Sequence, residues 1–150
     1  QTRAIFERAG RMLGALGLGF DRVVKTVDYI TPAALANYKG TGRVRKDHLG
    51  PVYPGAAGIL MPRLMHPEAL IQYDFIATRD TPVAVNPGWT RYQKLTYSPA
   101  VRAGQLLFTY LHYQADPRLW ISWSAARVFS PLSALFAIAA WCSRRTVTRD

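Results

Sequence analysis

The run Asp116–Arg145 reads DPRLWISWSAARVFSPLSALFAIAAWCSRR, and its reading decides the expected fold. From Leu119 to Cys142 it carries a single charge, Arg127, among apolar and small residues. A bilayer core about 30 Å thick takes about 20 helical residues at about 1.5 Å rise each. Trp120 and Trp123 stand at one end of the run and Trp141 at the other. On a helix they lie about 27–32 Å apart, the separation of two aromatic interface belts. Arg118 sits just outside the first belt, and Arg144 and Arg145 just outside the second. The pattern predicts one transmembrane helix over 120–142, within a segment spanning 117–145.

A buried core helix is the competing reading. The strictly uncharged part, Val128–Ser143, is short for a span, and a mid-membrane arginine costs a few kcal/mol. Pro131 frees the carbonyl of Arg127 and predicts a kink there. In a membrane, Arg127 is therefore expected to contact a partner or a lipid headgroup rather than acyl chains.

The remainder of the chain is read outward from this anchor. With 150 residues it amounts to one domain or less, and nineteen basic against nine acidic residues give a net charge of +10. Such a charge favours acidic surroundings: anionic lipid, nucleic acid or acidic partner subunits. It is dispersed, and only Arg43-Val44-Arg45-Lys46 resembles a basic patch. A single cysteine, Cys142, excludes an internal disulfide and a cysteine-cluster metal site. The opening lacks the apolar core of a secretory signal, and its Arg-rich amphipathic character is compatible with removal of a transit peptide.

Residues 1–28 are expected to form an amphipathic helix. Ile5, Ala9, Met12, Leu13, Leu16, Phe20, Val23, Val24 and Val27 make one stripe, with Arg8, Arg11, Arg22 and Lys25 opposite. Gly10, Gly14 and Gly17 weaken an isolated helix, which suggests close packing of a partner or of lipid on their side.

The run Arg3-Ala4-Ile5-Phe6, then Gly10, Gly17 and Phe20-Asp21-Arg22, resembles the N-terminal helix of mitochondrial γ-carbonic-anhydrase-like subunits of respiratory complex I. The resemblance covers about twenty residues and implies a similar helix in a similar setting, on the membrane arm of that complex. The hexapeptide repeats of a left-handed β-helix are missing, and His48, His66 and His112 lack the family's zinc-ligand context. Neither the metal site nor the anhydrase activity carries over.

Residues 29–98 are expected to be loop-rich. Thr31-Pro32 opens a short helix ending near Gly40, and a long Gly- and Pro-rich loop follows to Gly58. Pro67–Ile76 reads as a second short helix, with a short extended VAV at 83–85. Segments this irregular are usual where a chain gains its burial from neighbouring proteins. Residues 99–115 read as a further amphipathic helix, and Asp116-Pro117 caps the final one.

No nucleotide, hydrolase or metalloprotease motif occurs. Asp47-His48 is a dyad in sequence only, and His66 serves as an N-cap substitute. No catalytic, cofactor-binding or metal-ligating residue is expected.

The expected class is mainly α, with a C-terminal transmembrane helix, an N-terminal amphipathic helix and a loop-rich middle. The expected function is that of a non-catalytic accessory subunit of a mitochondrial inner-membrane respiratory complex, most simply the complex I membrane arm. It would act in assembly and stability, with other subunits and anionic lipid as partners. Trp120, Trp123, Trp141, Arg118, Arg144 and Arg145 would mark the membrane interfaces. Arg127, Gly10, Gly14 and Gly17 would contact partners or lipid. The alternative is a mitochondrial ribosomal or other ribonucleoprotein component, bound to nucleic acid. A third, weaker reading is a carrier or enzyme subunit whose cofactor site, near His48 or His112, is shared with partners.

Overall fold

Gly17 ends the first helix. The computed structural model describes residues 1–110 together with the backbone of Ala126–Arg127. Helix α1 runs from Thr2 to Ala15. Gly17 then adopts φ 68°, its N–H bonds to the Gly14 carbonyl at 3.0 Å, and the Leu18 N–H reaches back to the Leu13 carbonyl at 2.9 Å. This pair of bonds around a left-handed glycine is the Schellman stop, completed by Leu13 and Leu18 joining one apolar cluster.

Past that stop the same apolar spacing serves a strand. Strand β1, Val23–Ile30, is rich in β-branched residues and buried along almost its whole length. The expected single helix over 1–28 is thus α1 plus a strand.

Two sheets follow. In the first, β1 lies between β2 (Gly55–Leu60), to which it is parallel, and β3 (Ile71–Ala77), to which it is antiparallel. The parallel pair needs a crossover, supplied by the 3-10 turn Pro32–Gly40 and by helix α2, Thr41–Leu49. The second sheet is antiparallel, in the order β4 (Val83–Val85), β5 (Ala100–Ala103), β6 (Leu106–Thr109), β7 (Ala126–Arg127). Strands β5 and β6 are joined by Gly104-Gln105, with Gly104 at φ 56°, the conformation a two-residue hairpin asks of its first position.

The main core lies between the first sheet and the helices. Ile71, Tyr73 and Phe75 alternate with the outward Gln72, Asp74 and Ile76 along β3. They meet Phe6 of α1, which is 0% exposed, and Phe20, Val44 and Leu49. Phe6 stands 5.1–5.6 Å, centroid to centroid, from the rings of Phe20, His48, Tyr73 and Phe75. A second cluster, Val24, Val101, Ala103 and Phe108, ties β1 to the second sheet.

These findings overturn the mainly α expectation; the class is α/β. The helix expected over 67–76 is strand β3, the helix over 99–115 is the β5–β6 hairpin as far as it is described, and the loop expected up to Gly58 contains α2. The short extended segment at 83–85 is β4.

The transmembrane helix is also corrected. Among the described residues, no helix is long and apolar enough to cross a membrane. Most of 120–142 lies outside the described residues, but Ala126 and Arg127 pair with Leu107 and Leu106 of β6. A strand pairing in its middle is incompatible with one continuous helix. The expected inner-membrane location and the complex I accessory role rested on that helix and fall with it. The ribonucleoprotein alternative rested on an irregular middle ordered by partners. That middle instead forms strands and helices around its own core.

Candidate functional site

A pocket opens where the crossover passes over the edge of the first sheet, and it owes its existence to two small residues. In the parallel register, Thr26, Asp28 and Ile30 of β1 lie beside Ala56, Gly58 and Leu60 of β2. Their side chains share the face turned toward the helices. Large residues at 56 and 58 would fill the space above that face; alanine and glycine leave it open. A Cβ built on Gly58 would come 3.7 Å from the Tyr38 hydroxyl and 3.9 Å from Asp28 Oδ2, so this glycine borders the polar floor directly.

The cavity has a volume of about 320 Å³. Leu35 and Tyr38 come from the 3-10 turn, Arg45 from α2, and Tyr97 and Tyr110 from the segments flanking the β5–β6 hairpin. Its size lies within the range of small-molecule sites, and its lining is largely apolar and aromatic with a few convergent polar groups.

Those polar groups form a buried network. Arg45 is 4% exposed and Asp28 1% exposed. Their charged ends are 3.8 Å apart, Arg45 Nη1 to Asp28 Oδ2. Arg45 Nη2 donates to Thr26 Oγ1 at 3.2 Å, and its guanidinium lies 5.9 Å from the centroid of the Tyr97 ring. Tyr38 donates its hydroxyl to Asp28 Oδ2. Tyr97 and Tyr110 stack with centroids 4.4 Å apart.

Burial pushes the Asp28 carboxyl above its ordinary range, opposed by Arg45, by the Tyr38 hydroxyl and by its own amide. The Tyr38 phenol is raised strongly, first by burial and then by the Asp28 charge. Burial likewise raises Tyr110, with its hydrogen bond to Tyr97 adding to the effect. Tyr73, opposite Asp28 on β3, is pushed up to about 12 by burial and then by Asp28. Tyr38, Tyr73 and Tyr110 thus resist ionisation, and among the described lining residues the charge is that of Arg45 paired with Asp28.

The expected contact residues fall elsewhere. A Cβ on Gly10 would meet the Phe20 ring at 3.1 Å, so this glycine accommodates a ring of its own chain. Gly14 and Gly17 face open space, and Gly17 serves to stop α1. Arg127 lies in β7, and Arg118, Trp120, Trp123, Trp141, Arg144 and Arg145 lie outside the described residues. Asp47 pairs with Arg3 at 3.7 Å, while His48 rests against Phe6 and Phe20, so the two do not act as a dyad. His66 Nδ1 accepts the Glu68 N–H at 3.4 Å in a turn rather than at a helix start, and His112 lies outside the described residues.

The pocket residues were obscured by their neighbours in sequence. Arg45 reads as part of a short solvated basic run, and Asp28 as the end of an amphipathic helix. Only the strand reading of VVKTVDYI, with Asp28 at a core-facing position, would have exposed a buried acid in need of a partner.

No family model and no curated protein matches the chain. Among solved structures, the crystal structure of E. coli TdcF with bound serine is similar at a TM-score of 0.46 and 22% identity, over 53% of this chain. The match spans 62% of that protein's length, less than two thirds of it.

Proposed function

We propose that this chain is a non-catalytic small-molecule-binding module whose ligand occupies the pocket over Asp28, Arg45 and Gly58. The observation that carries this reading is the pairing of a 320 Å³ cavity with a polar floor that is almost wholly out of water. Burying an arginine and an aspartate is costly, and a hydrophobic pair of similar volume would stabilise the fold as well or better. Their position in the lining of this pocket makes sense if they orient a ligand.

Binding is favoured over catalysis by what lines the cavity. Its residues are Asp28, Ile30, Leu35, Tyr38, Arg45, Ala56, Gly58, Leu60, Tyr97 and Tyr110. Among the described residues that line it, none is a serine, threonine, cysteine, histidine or lysine. Tyr38 donates to Asp28 Oδ2, so this carboxyl oxygen is engaged within the chain.

The test is a fragment screen read by amide shifts of the isotope-labelled full chain. Saturable shifts clustered at Asp28, Tyr38, Arg45, Gly58 and Tyr97 are expected. Fragments that bind only elsewhere, or not at all, contradict the reading.

A further inference from the structure

We propose that a second surface, around Trp89, binds single-stranded nucleic acid, with one base stacked on the indole and the flanking phosphates at Arg91 and Lys94. This contact is separate from the pocket and does not depend on it. Its frame is the 3-10 helix Thr90–Lys94, whose first turn Trp89 caps. With about three residues per turn, positions three apart share a ridge. Trp89 and Tyr92 form one ridge, and their rings stack with centroids 5.8 Å apart, tilted by 29°. Arg91 and Lys94 form the next ridge. The Arg91 guanidinium lies 5.1 Å from the centroid of the Tyr92 ring, so a cation stands beside the stack.

The inner end of this stack is anchored and the outer end is open. Tyr92 is buried, with Tyr97 and Tyr110 set edge-on against it. Trp89 is 53% exposed. Its backbone is nonetheless held fast: the Asn86 side chain accepts the Trp89 N–H at 2.7 Å and donates to the Trp89 carbonyl at 3.1 Å. A ring presented on a fixed backbone loses little freedom when a partner lands on it.

Charge selects the partner. From 81 to 115 the sequence holds Arg91, Lys94 and Arg102 and no acidic residue. Arg91 and Lys94 are exposed, and neither forms a salt bridge among the described residues. Asp28, on the far side of Tyr97, is buried and already faces Arg45. The surface therefore suits a partner that brings negative charge and a flat face together. An acidic peptide brings the charge, and a duplex keeps its bases stacked on one another. A single strand offers both phosphates and free base faces, and it needs no particular sequence to do so.

The test titrates the full chain into a fluorescein-labelled oligothymidine of about twelve nucleotides, a length such surfaces span. Binding that weakens with added salt is expected, together with a shift of the Trp89 indole N–H signal in the isotope-labelled chain. Trp89→Ala, checked for folding by its amide spectrum, is expected to lower affinity at least about fivefold. Arg91→Gln combined with Lys94→Gln is expected to make the slope of log affinity against log salt shallower by about 1.4, the value for two phosphates.

No binding at low salt overturns the proposal. So does binding that a folded Trp89→Ala chain retains in full, which is the diffuse attraction of a +10 chain. A duplex of the same length, or polyglutamate, bound as tightly as the single strand overturns it too. Should Trp89→Ala fail to fold, the parent chain decides: a Trp89 indole signal unmoved at saturation overturns the assignment.

Discussion

Arg45 of α2 and Asp28 of β1 face each other across 3.8 Å, with almost none of either side chain in contact with solvent. The contact joins the crossover helix to the central strand, so it holds the pocket as well as lining it. Removing one member of a buried pair strands the other, at a cost of about 3–5 kcal/mol.

Arg45→Met should therefore destabilise the fold by about that amount near pH 7. The sign of its pH dependence follows from Asp28, whose folded carboxyl is already raised by burial. Without Arg45 to oppose that effect, the carboxyl rises further. A raised folded value gives stability that is complete below the unfolded value and lost as pH climbs through the folded one. The variant's deficit should accordingly shrink toward about pH 4.5, and Asp28→Asn in the same chain should recover part of it. Urea unfolding at the two pH values checks both statements. An equal deficit at each pH, with strictly additive double-variant losses, contradicts them.

The phenols predict an alkaline limit. Tyr73 is pushed up to about 12, and Tyr38 and Tyr110 are raised in the same direction. In the unfolded chain they ionise near pH 10, so there the unfolded state binds fewer protons and stability falls with rising pH. For Tyr73 the contribution is complete below about pH 10 and lost between about 10 and 12. Lys25, whose ammonium burial lowers, works in the opposite sense, mostly below its ordinary value of 10.5. Unfolding free energy measured from pH 9 to about 11.5 should drop with a net loss above one proton, and Tyr73→Phe should remove about one proton of that slope. An unchanged slope in the variant contradicts the assignment.

Two glycines on β2 should differ in their tolerance of an added side chain. At Gly55 a Cβ would sit 3.1 Å from the Phe108 carbonyl oxygen and 3.2 Å from the Thr109 carbonyl carbon, both backbone atoms that cannot swing aside. Gly55→Val should cost about 1–3 kcal/mol by forcing β6 away from β2. At Gly58 the nearest atom is 3.6 Å away, so Gly58→Ala should change stability by less than about 0.5 kcal/mol. Thermal melts of the two variants decide this; equal losses would contradict the close approach of the two sheets.

The same residues show how much the sequence discloses. Helix α1 is legible because Ile5, Leu13 and their neighbours keep helical spacing, and the stop is legible in Gly17 and Gly19. What misleads is that Phe20, Val23, Val24 and Val27 continue that spacing while being equally at home in a strand. Along 71–77 the alternation of Ile71, Tyr73 and Phe75 signals a strand, but Glu68-Ala69-Leu70 before it favours a helix and obscures the change of period. Gly104-Gln105 between two apolar runs is a hairpin signal that competes with helical spacing across 99–115. The pocket was hidden more deeply. Its residues come from β1, β2, the crossover and the segments flanking the β5–β6 hairpin, so only the parallel register brings Asp28 beside Gly58.

The ligand affinity of Gly58→Leu, taken together with its amide spectrum, shows whether the pocket over Asp28 and Arg45 holds a ligand. The substitution fills the pocket over Asp28 and Tyr38 while keeping both members of the Asp28–Arg45 pair in the chain. The variant's spectrum is expected to match that of the parent chain outside the pocket, with affinity for pocket-directed fragments reduced by at least about tenfold. A folded variant that binds those fragments as tightly as the parent would contradict it.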